Sequence, residues 1–402
     1  MSPERRTAVL ALFSLAIGSF GIGMTEFVVM GLLPDLAENL LPGAWAANAE
    51  DAIAQSGHLV SLYALGVVIG APTIAANVAR FPRHRVMLGL AIALTVFNGL
   101  TFILPSFELV AFSRLLAGLP HGAYFGIGAL VAADVLGPGK RAQGVAFVLT
   151  GLTVANIVGV PVGTFLGQTF GWRTTFMAVT AVFALATIFI ARFVPRCPGD
   201  PGRTLRAELR VFRIAQVWLT LALGAIGFGG FFAVMSYVAP MITEVAGAPA
   251  WSVPLLLVIS GVAMTTGNLI GGRLADRDLR RTLLGAFVGT AVVLTVIALT
   301  AQWIVALGAL LFALNFCGSI LAPSIQTRLM DVAEENQSIA AALNHASLNM
   351  GNSLGALLGG VVIAAGWGFV APAWVGLAMA LVGLALAGVS FSIQRSRQSA
   401  PA

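Results

Sequence analysis

Charge is scarce in this chain of 402 residues: 22 are basic and 16 acidic, or 9% together, against roughly 25% in an ordinary soluble domain. So few charged groups cannot cover a chain that is 58% hydrophobic, which excludes a water-soluble globule. Cysteine is almost absent. Cys197 falls in an inner loop and Cys317 inside an apolar stretch, so neither a disulfide nor a metal site is implied. There is no His-Glu-x-x-His motif and no Ser/His/acid grouping, so an enzyme is not expected, and no cofactor is implied. The phosphate loop Gly-x-x-x-x-Gly-Lys-Ser/Thr is also missing, which counts against an ATP-driven pump.

What the chain does have is apolar length. Mean hydropathy is +0.94, and twelve apolar stretches can be marked at roughly 8–33, 57–79, 86–104, 107–135, 143–169, 172–194, 216–242, 252–274, 282–301, 303–328, 338–365 and 369–393. Each approaches or exceeds the ~20 residues a spanning helix needs. Lipid offers the backbone no hydrogen bonds, and the stretches lack the period-two alternation of barrel strands. The expected fold class is an all-α polytopic membrane protein with twelve transmembrane helices.

Basic residues test that count, because Lys and Arg in short loops stay on the cytoplasmic side. With the N-terminus inside, 20 of the 22 fall in inner segments, the exceptions being Arg173 at an outer boundary and Arg114 within a span. Six of the seven tryptophans lie in or near outer segments, as an interfacial belt requires. Both termini are therefore expected in the cytoplasm of a bacterial cell, the chain crossing its inner membrane many times. The net charge of +6 is dispersed over inner loops, so topology accounts for it and no nucleic-acid partner is expected. The first apolar run is too long for a signal-peptide core and has no clear cleavage site.

An arginine- and proline-containing connection, 192–215, divides the spans into an N-terminal six-helix bundle, 1–191, and a C-terminal one, 216–402. The bundles repeat weakly at an offset of about 196 residues: Gly159, Gly163 and Gly171-Trp172 are echoed by Gly355, Gly359 and Gly366-Trp367. Two pseudo-symmetric six-helix bundles are the architecture of rocking secondary transporters, whose substrate site lies at mid-membrane between them.

Four local patterns then carry a resemblance. They are Thr25-Glu26-Phe27 with Gly31-Leu32-Leu33-Pro34; Ser113-Arg114-Leu115 with Gly118 and Pro120-His121-Gly122; Gly151, Gly159-Val160-Pro161-Val162-Gly163 and Gly167; and Gly272-Arg273-Leu274-Ala275-Asp276-Arg277 with Arg280-Arg281. In this order the chain resembles the major facilitator superfamily, and within it the twelve-span drug:proton antiporters, particularly bacterial sugar-efflux and chloramphenicol-efflux permeases. The resemblance implies that Gly159, Pro161 and Gly163 belong to an antiporter motif associated with export. It also implies a gating motif on an inner loop. The loop between spans two and three has Ala79 where that motif carries Asp, so Asp276, Arg277 and Arg280 are assigned the gating role.

Polar groups within the membrane are costly and mark function. Glu26 lies eight residues before Pro34, roughly 12 Å below the outer end of its helix at 1.5 Å per residue. Arg114 sits at a similar depth, so a Glu26–Arg114 pair is expected, either for proton coupling or as a structural ion pair. His121, two turns beyond Arg114, either relays a proton, bonds substrate or simply packs beside Pro120. His345, Asn349 and Asn352 form a polar stripe in span eleven, on a different side from Gly351, Gly355 and Gly359.

At the repeat offset the counterparts of Glu26, Arg114 and His121 are apolar. The first half is therefore expected to handle the proton, while Phe228, Phe231, Phe232 and Tyr237 help wall the substrate site. Tyr63, Asn156, Asn315, His345 and Asn349 complete the candidate substrate contacts. The expected function is proton-driven export of a small amphipathic compound by alternating access, by a monomer whose partners are substrate, protons and the bilayer. A drug of the chloramphenicol type is favoured over a sugar or other metabolite; uptake by proton symport is the remaining alternative.

Overall fold

The computed structural model describes residues 3–78, 80–137, 141–199, 213–333 and 337–399. Among them the regular structure is helical throughout, and eleven helical segments are long and apolar enough to span a membrane. One of the eleven is 49 residues long, which is twice what a bilayer needs. It breaks at Asp278, whose backbone is extended (φ −155°, ψ 89°). Asp278 Oδ1 accepts the amide of Arg281 at 2.9 Å, capping the helix that follows. Divided there, the eleven become the twelve spans expected from hydropathy, with a capped kink where a loop was expected.

The N-terminal helices are α1 (Pro3–Gly31), α2 (Leu33–Leu40), α3 (Pro42–Ala47), α4 (Ala49–Ser56), α5 (His58–Val78), α6 (Arg83–Ile103), α7 (Phe107–Leu136), α8 (Arg141–Val154), α9 (Val160–Phe170) and α10 (Trp172–Phe193). The C-terminal ones are α11 (Ala215–Ala222), α12 (Gly229–Met235), α13 (Val238–Pro240), α14 (Ser252–Thr300), α15 (Ile304–Val332), α16 (Gln337–Val362) and α17 (Ala371–Ser399). Short π-helical turns, Ala155–Gly159 and Leu223–Gly227, join α8 to α9 and lead from α11 towards α12. Such turns widen a helix locally and recur at functional sites. Most of the connection 192–215 lies outside the described residues, since 200–212 are not among them.

The segment 34–56, expected on the outer side, is not irregular loop. Pro34 and Pro42 stand in the first turns of α2 and α3, where a missing N–H costs nothing, and the Asn48 side chain accepts from the amides of Glu50 and Asp51 to cap α4. Arg173 and Trp172 both donate to Asn39 Oδ1, at 2.7 and 2.9 Å, tying α10 to α2. That contact gives a partner to Arg173, one of the two exceptions to the charge rule. It also removes Trp172, 3% exposed, from the interfacial belt, in contrast to Trp303 and Trp367 at 61% and 71%.

Burial locates the join between the halves. The core of the C-terminal half, including Tyr237, Met241 and Leu257, is continuous with Val28–Val29, Leu33, Leu36, Ile53 and Leu59 of the N-terminal half. Toward the chain termini the cores separate: Leu12, Leu15, Met87, Tyr124 and Val131 form one cluster, and Val217, Leu329, Ala333 and Leu343 another. Among the described residues the two halves are thus sealed together at the end bearing α2 to α4 and have separate cores at the opposite end.

Candidate functional site at the interface of the two halves

Helices α5 and α7 cross closely enough that only glycine fits at the contact. A Cβ placed on Gly118 would overlap the carbonyl oxygen of Tyr63, and one on Gly66 would overlap that of Leu115. This approach lays the Tyr63 ring beneath the Arg114 guanidinium, 4.2 Å from Cζ to the ring centroid. It also brings the Tyr63 hydroxyl within 3.1 Å of His121 Nδ1. Arg114 is completely buried.

Arg114 does not form the expected ion pair. Its Nη1 donates to Thr25 Oγ1 at 2.6 Å and its Nη2 to the Thr25 carbonyl at 2.7 Å, so the guanidinium grips α1 one residue before the acid. Thr25 Oγ1 in turn donates to Asn98 Oδ1 at 2.5 Å. The Arg114 Nε has no acceptor. Ion pairs among the described residues are Arg83–Asp134 and Arg281–Asp278, and neither includes Glu26. Successive helix residues point about 100° apart, which explains how Thr25 can face Arg114 while Glu26 faces elsewhere.

Glu26 faces the other half. It is the only buried carboxylate among the described residues, and its Oε1 accepts from Asn352 Nδ2 of α16 at 3.3 Å. Next to it, Ser353 Oγ donates to the Ser61 carbonyl of α5 at 3.0 Å. Phe27 stacks on Phe232 at 6.4 Å between centroids, with the rings 5° from parallel. Asn352 and Ser353 of α16 therefore face the N-terminal half, and Gly351, Gly355 and Gly359 pack against α12 and its neighbours.

The candidate substrate residues divide into groups. Phe228, Phe231 and Phe232 form one buried aromatic cluster with centroids 4.9 to 5.7 Å apart. His345 stacks at 5.5 Å on Phe125, which meets His121 edge-on, so the two histidines flank one ring. Asn349 Nδ2 is taken by the His345 carbonyl, and Asn315 Nδ2 by the Leu311 carbonyl and Met235 Sδ; the Oδ1 of each is buried without a partner. Asn156 lies buried in the π turn after α8, where its backbone carbonyl touches Gly261 of α14. Tyr237 stands apart from the aromatic cluster. Its hydroxyl donates to the Ala356 carbonyl at 2.8 Å beside Gly57 and Gly360, at the end where the two halves are sealed together.

A family model described as Major Facilitator Superfamily matches residues 15–281 and 252–402. The chain belongs to the major facilitator superfamily. Among relatives, the inner membrane transport protein YdhP of Escherichia coli K12 is 36% identical over 89% of this chain and 90% of its own length. The putative transporter AraJ of the same strain is 34% identical over 88% of each, and a chloramphenicol resistance protein of Streptomyces lividans is 30% identical over 87% of this chain and 88% of that one. A D-xylose-proton symporter structure superimposes with a TM-score of 0.74 at 15% identity, covering 94% of this chain and 97% of that one, which shows the shared fold. Superfamily members are membrane transporters rather than enzymes.

Within this superfamily member, the glycines of the fifth span act through packing. A Cβ on Gly151 would overlap the Ala16 carbonyl, and one on Gly159 or Gly163 would crowd Met24 or Val28, so α8 and α9 lie against the helix that carries Glu26. Pro161 opens α9 after the π turn. At the gating motif, Asp276, Arg277 and Arg280 are exposed. The first half has a carboxylate partner of another origin: Arg83 Nη1 lies 2.7 and 2.8 Å from both oxygens of Asp134 at the end of α7. Behind this pair Cys197 is buried, its carbonyl accepting the Arg83 amide at 3.1 Å. Burial next to Asp134 pushes its thiol up to about 11.

Sequence reasoning missed Asn98, Ser61 and Phe125, and read Thr25 only as part of a motif, with no role at the site. Thr25 carried a signal, as the immediate neighbour of Glu26. Ser61 and Phe125 stand on α5 and α7, whose facing is set by glycine contacts between those two helices, and Asn98 stands on α6. Arg328 was counted as an inner-loop cation, yet it is 2% exposed and bonds Ser390, Gln394 and Gln216.

Proposed function

We propose that the protein exports a small amphipathic compound from the cytoplasm in exchange for protons, by rocking of two six-helix bundles, 1–191 and 216–402, about the site at their interface. The observation that carries this reading is Glu26, the lone buried carboxylate among the described residues, placed where the halves meet and beside the Phe27–Phe232 stack. A buried acid with no cation in contact is inexpensive only when protonated, so its proton must travel with a change of solvent access. Arg114 holds the neighbouring residue, and Tyr63 and His121 continue the polar line toward His345.

With the termini in the cytoplasm, the sealed end is the outer one, and the separate cores lie on the cytoplasmic side. Aromatic rings beside one acid suit an amphipathic drug better than a polyhydroxylated sugar, which calls for many paired hydrogen-bonding groups. The name of the Streptomyces relative, a chloramphenicol resistance protein, points the same way. The test is a screen of phenicols, dyes and sugars in proteoliposomes under an imposed proton gradient, with Glu26→Gln in parallel. Gradient-dependent transport of a phenicol or dye that is abolished by Glu26→Gln is expected. Unchanged gradient dependence in Glu26→Gln would remove the carboxylate from coupling.

A further inference from the structure

We infer that Asn352 is the positioning residue that reads the protonation state of Glu26 and converts it into sealing of the outer end. The inference rests on Glu26 being the proton carrier. Two side-chain hydrogen bonds cross between the halves on adjacent residues of α16: Asn352 Nδ2 to Glu26 Oε1, and Ser353 Oγ to the Ser61 carbonyl. Asn352 is 1% exposed, yet its Oδ1 has no hydrogen-bond partner. A buried amide oxygen without a donor is costly, of order 1–3 kcal/mol in proteins. A protonated Glu26 supplies the missing donor. Its O–H donates to Asn352 Oδ1 while Asn352 Nδ2–H donates to the carboxyl carbonyl, closing an acid–amide ring of two bonds across the interface.

Loss of the proton removes one bond and sets a carboxylate against the amide oxygen. Arg114 and Tyr63 are the titratable groups whose charges act on Glu26, and the Nε of Arg114 is a buried donor without an acceptor in the N-terminal half. Protonation thus favours the sealed outer end and deprotonation loosens it. In an exchanger this order moves protons inward: the acid loads while open outside, the outer end closes on the loaded form, and the proton leaves on the cytoplasmic side.

The experiment is a spin-label distance measurement across the outer end in lipid nanodiscs. Labels go on Ala47→Cys and Ala250→Cys, both exposed, with Cys197 and Cys317 replaced by serine. In the otherwise unaltered chain the sealed-to-open ratio should rise about tenfold as pH falls through the Glu26 transition, the worth of one buried hydrogen bond. Glu26→Gln keeps both bonds of the ring through its amide and should stay sealed at every pH. Asn352→Leu should reduce the pH response to less than twofold, and the Glu26→Gln/Asn352→Leu double variant should lose the permanent seal. Asn352→Ser, which keeps one hydroxyl, gives an intermediate response and serves if the leucine variant does not fold. A full tenfold response in Asn352→Leu, or in Asn352→Ser where leucine is not tolerated, overturns the role of Asn352 while leaving Glu26 as carrier. A full response in Glu26→Gln overturns the carrier assignment itself.

Discussion

Replacing Arg114 by lysine keeps the charge and removes the fork. The guanidinium reaches two acceptors on one residue, Thr25 Oγ1 at 2.6 Å and the Thr25 carbonyl at 2.7 Å, while lying over the Tyr63 ring at 4.2 Å and the Phe176 ring at 5.4 Å. A lysine ammonium is a point donor on a flexible stem and cannot reproduce that planar, stacked geometry. Losing one of two charge-assisted bonds costs about 1.5–3 kcal/mol. Weaker cation–π contact with the two rings adds about 0.5–1 kcal/mol. Side-chain hydrogen bonds between membrane helices often measure nearer 0.6 kcal/mol, so the lower part of the range, about 2 kcal/mol, is the working figure. At 1.4 kcal/mol per decade this is about 30-fold. The assay is initial gradient-driven transport in proteoliposomes at matched protein content, with thermal unfolding in detergent alongside. Arg114→Lys should transport about 30-fold more slowly and unfold at lower temperature. Transport within twofold of the unaltered protein, at unchanged stability, would refute the idea that the fork on Thr25 positions the neighbouring acid.

Other outcomes follow from the same geometry. Gly118→Ala drives a methyl into the Tyr63 carbonyl; it should destabilise by about 1–3 kcal/mol, as overpacking does, and depress transport, measured by thermal unfolding and flux. Burial pushes the Asp35 carboxyl up to about 6, with Glu38 adding to the shift. A raised carboxyl contributes stability that is fully present below its unfolded value of about 4 and is lost as pH rises through about 6. Unfolding temperature should therefore fall between pH 4 and 7, and Asp35→Asn should flatten that fall. With its thiol near 11, Cys197 holds on the order of one thiolate per thousand molecules at pH 8, so iodoacetamide modification followed by mass spectrometry should find it almost unreacted until the protein unfolds.

How far the sequence reached differs between fold and site. Spans were legible because a bilayer imposes length and hydropathy on every helix, and the kink at Asp278 hid inside a basic segment that reads equally well as loop. Glu26, Arg114 and His121 stood out because lipid gives no reason for them. Their partners did not, because depth along a helix is countable while rotation about its axis depends on close contacts such as Gly66 with Gly118. Equal depth suggested that Glu26 and Arg114 would pair; rotation instead gave Thr25 to the arginine and turned Glu26 to Asn352. Arg328 illustrates the opposite error, since its inner-end position satisfied the charge rule although the side chain is buried.

The direction of proton movement tests the central claim most directly. In proteoliposomes of uniform orientation, with the terminal-bearing face outward and a pH-sensitive dye inside, a transported phenicol or dye is added to the medium. Exchange of outward-moving substrate for inward-moving protons predicts that the lumen becomes alkaline as substrate enters it, and that Glu26→Gln gives no pH change. Acidification of the lumen, meaning that proton and substrate travel together, would contradict the account.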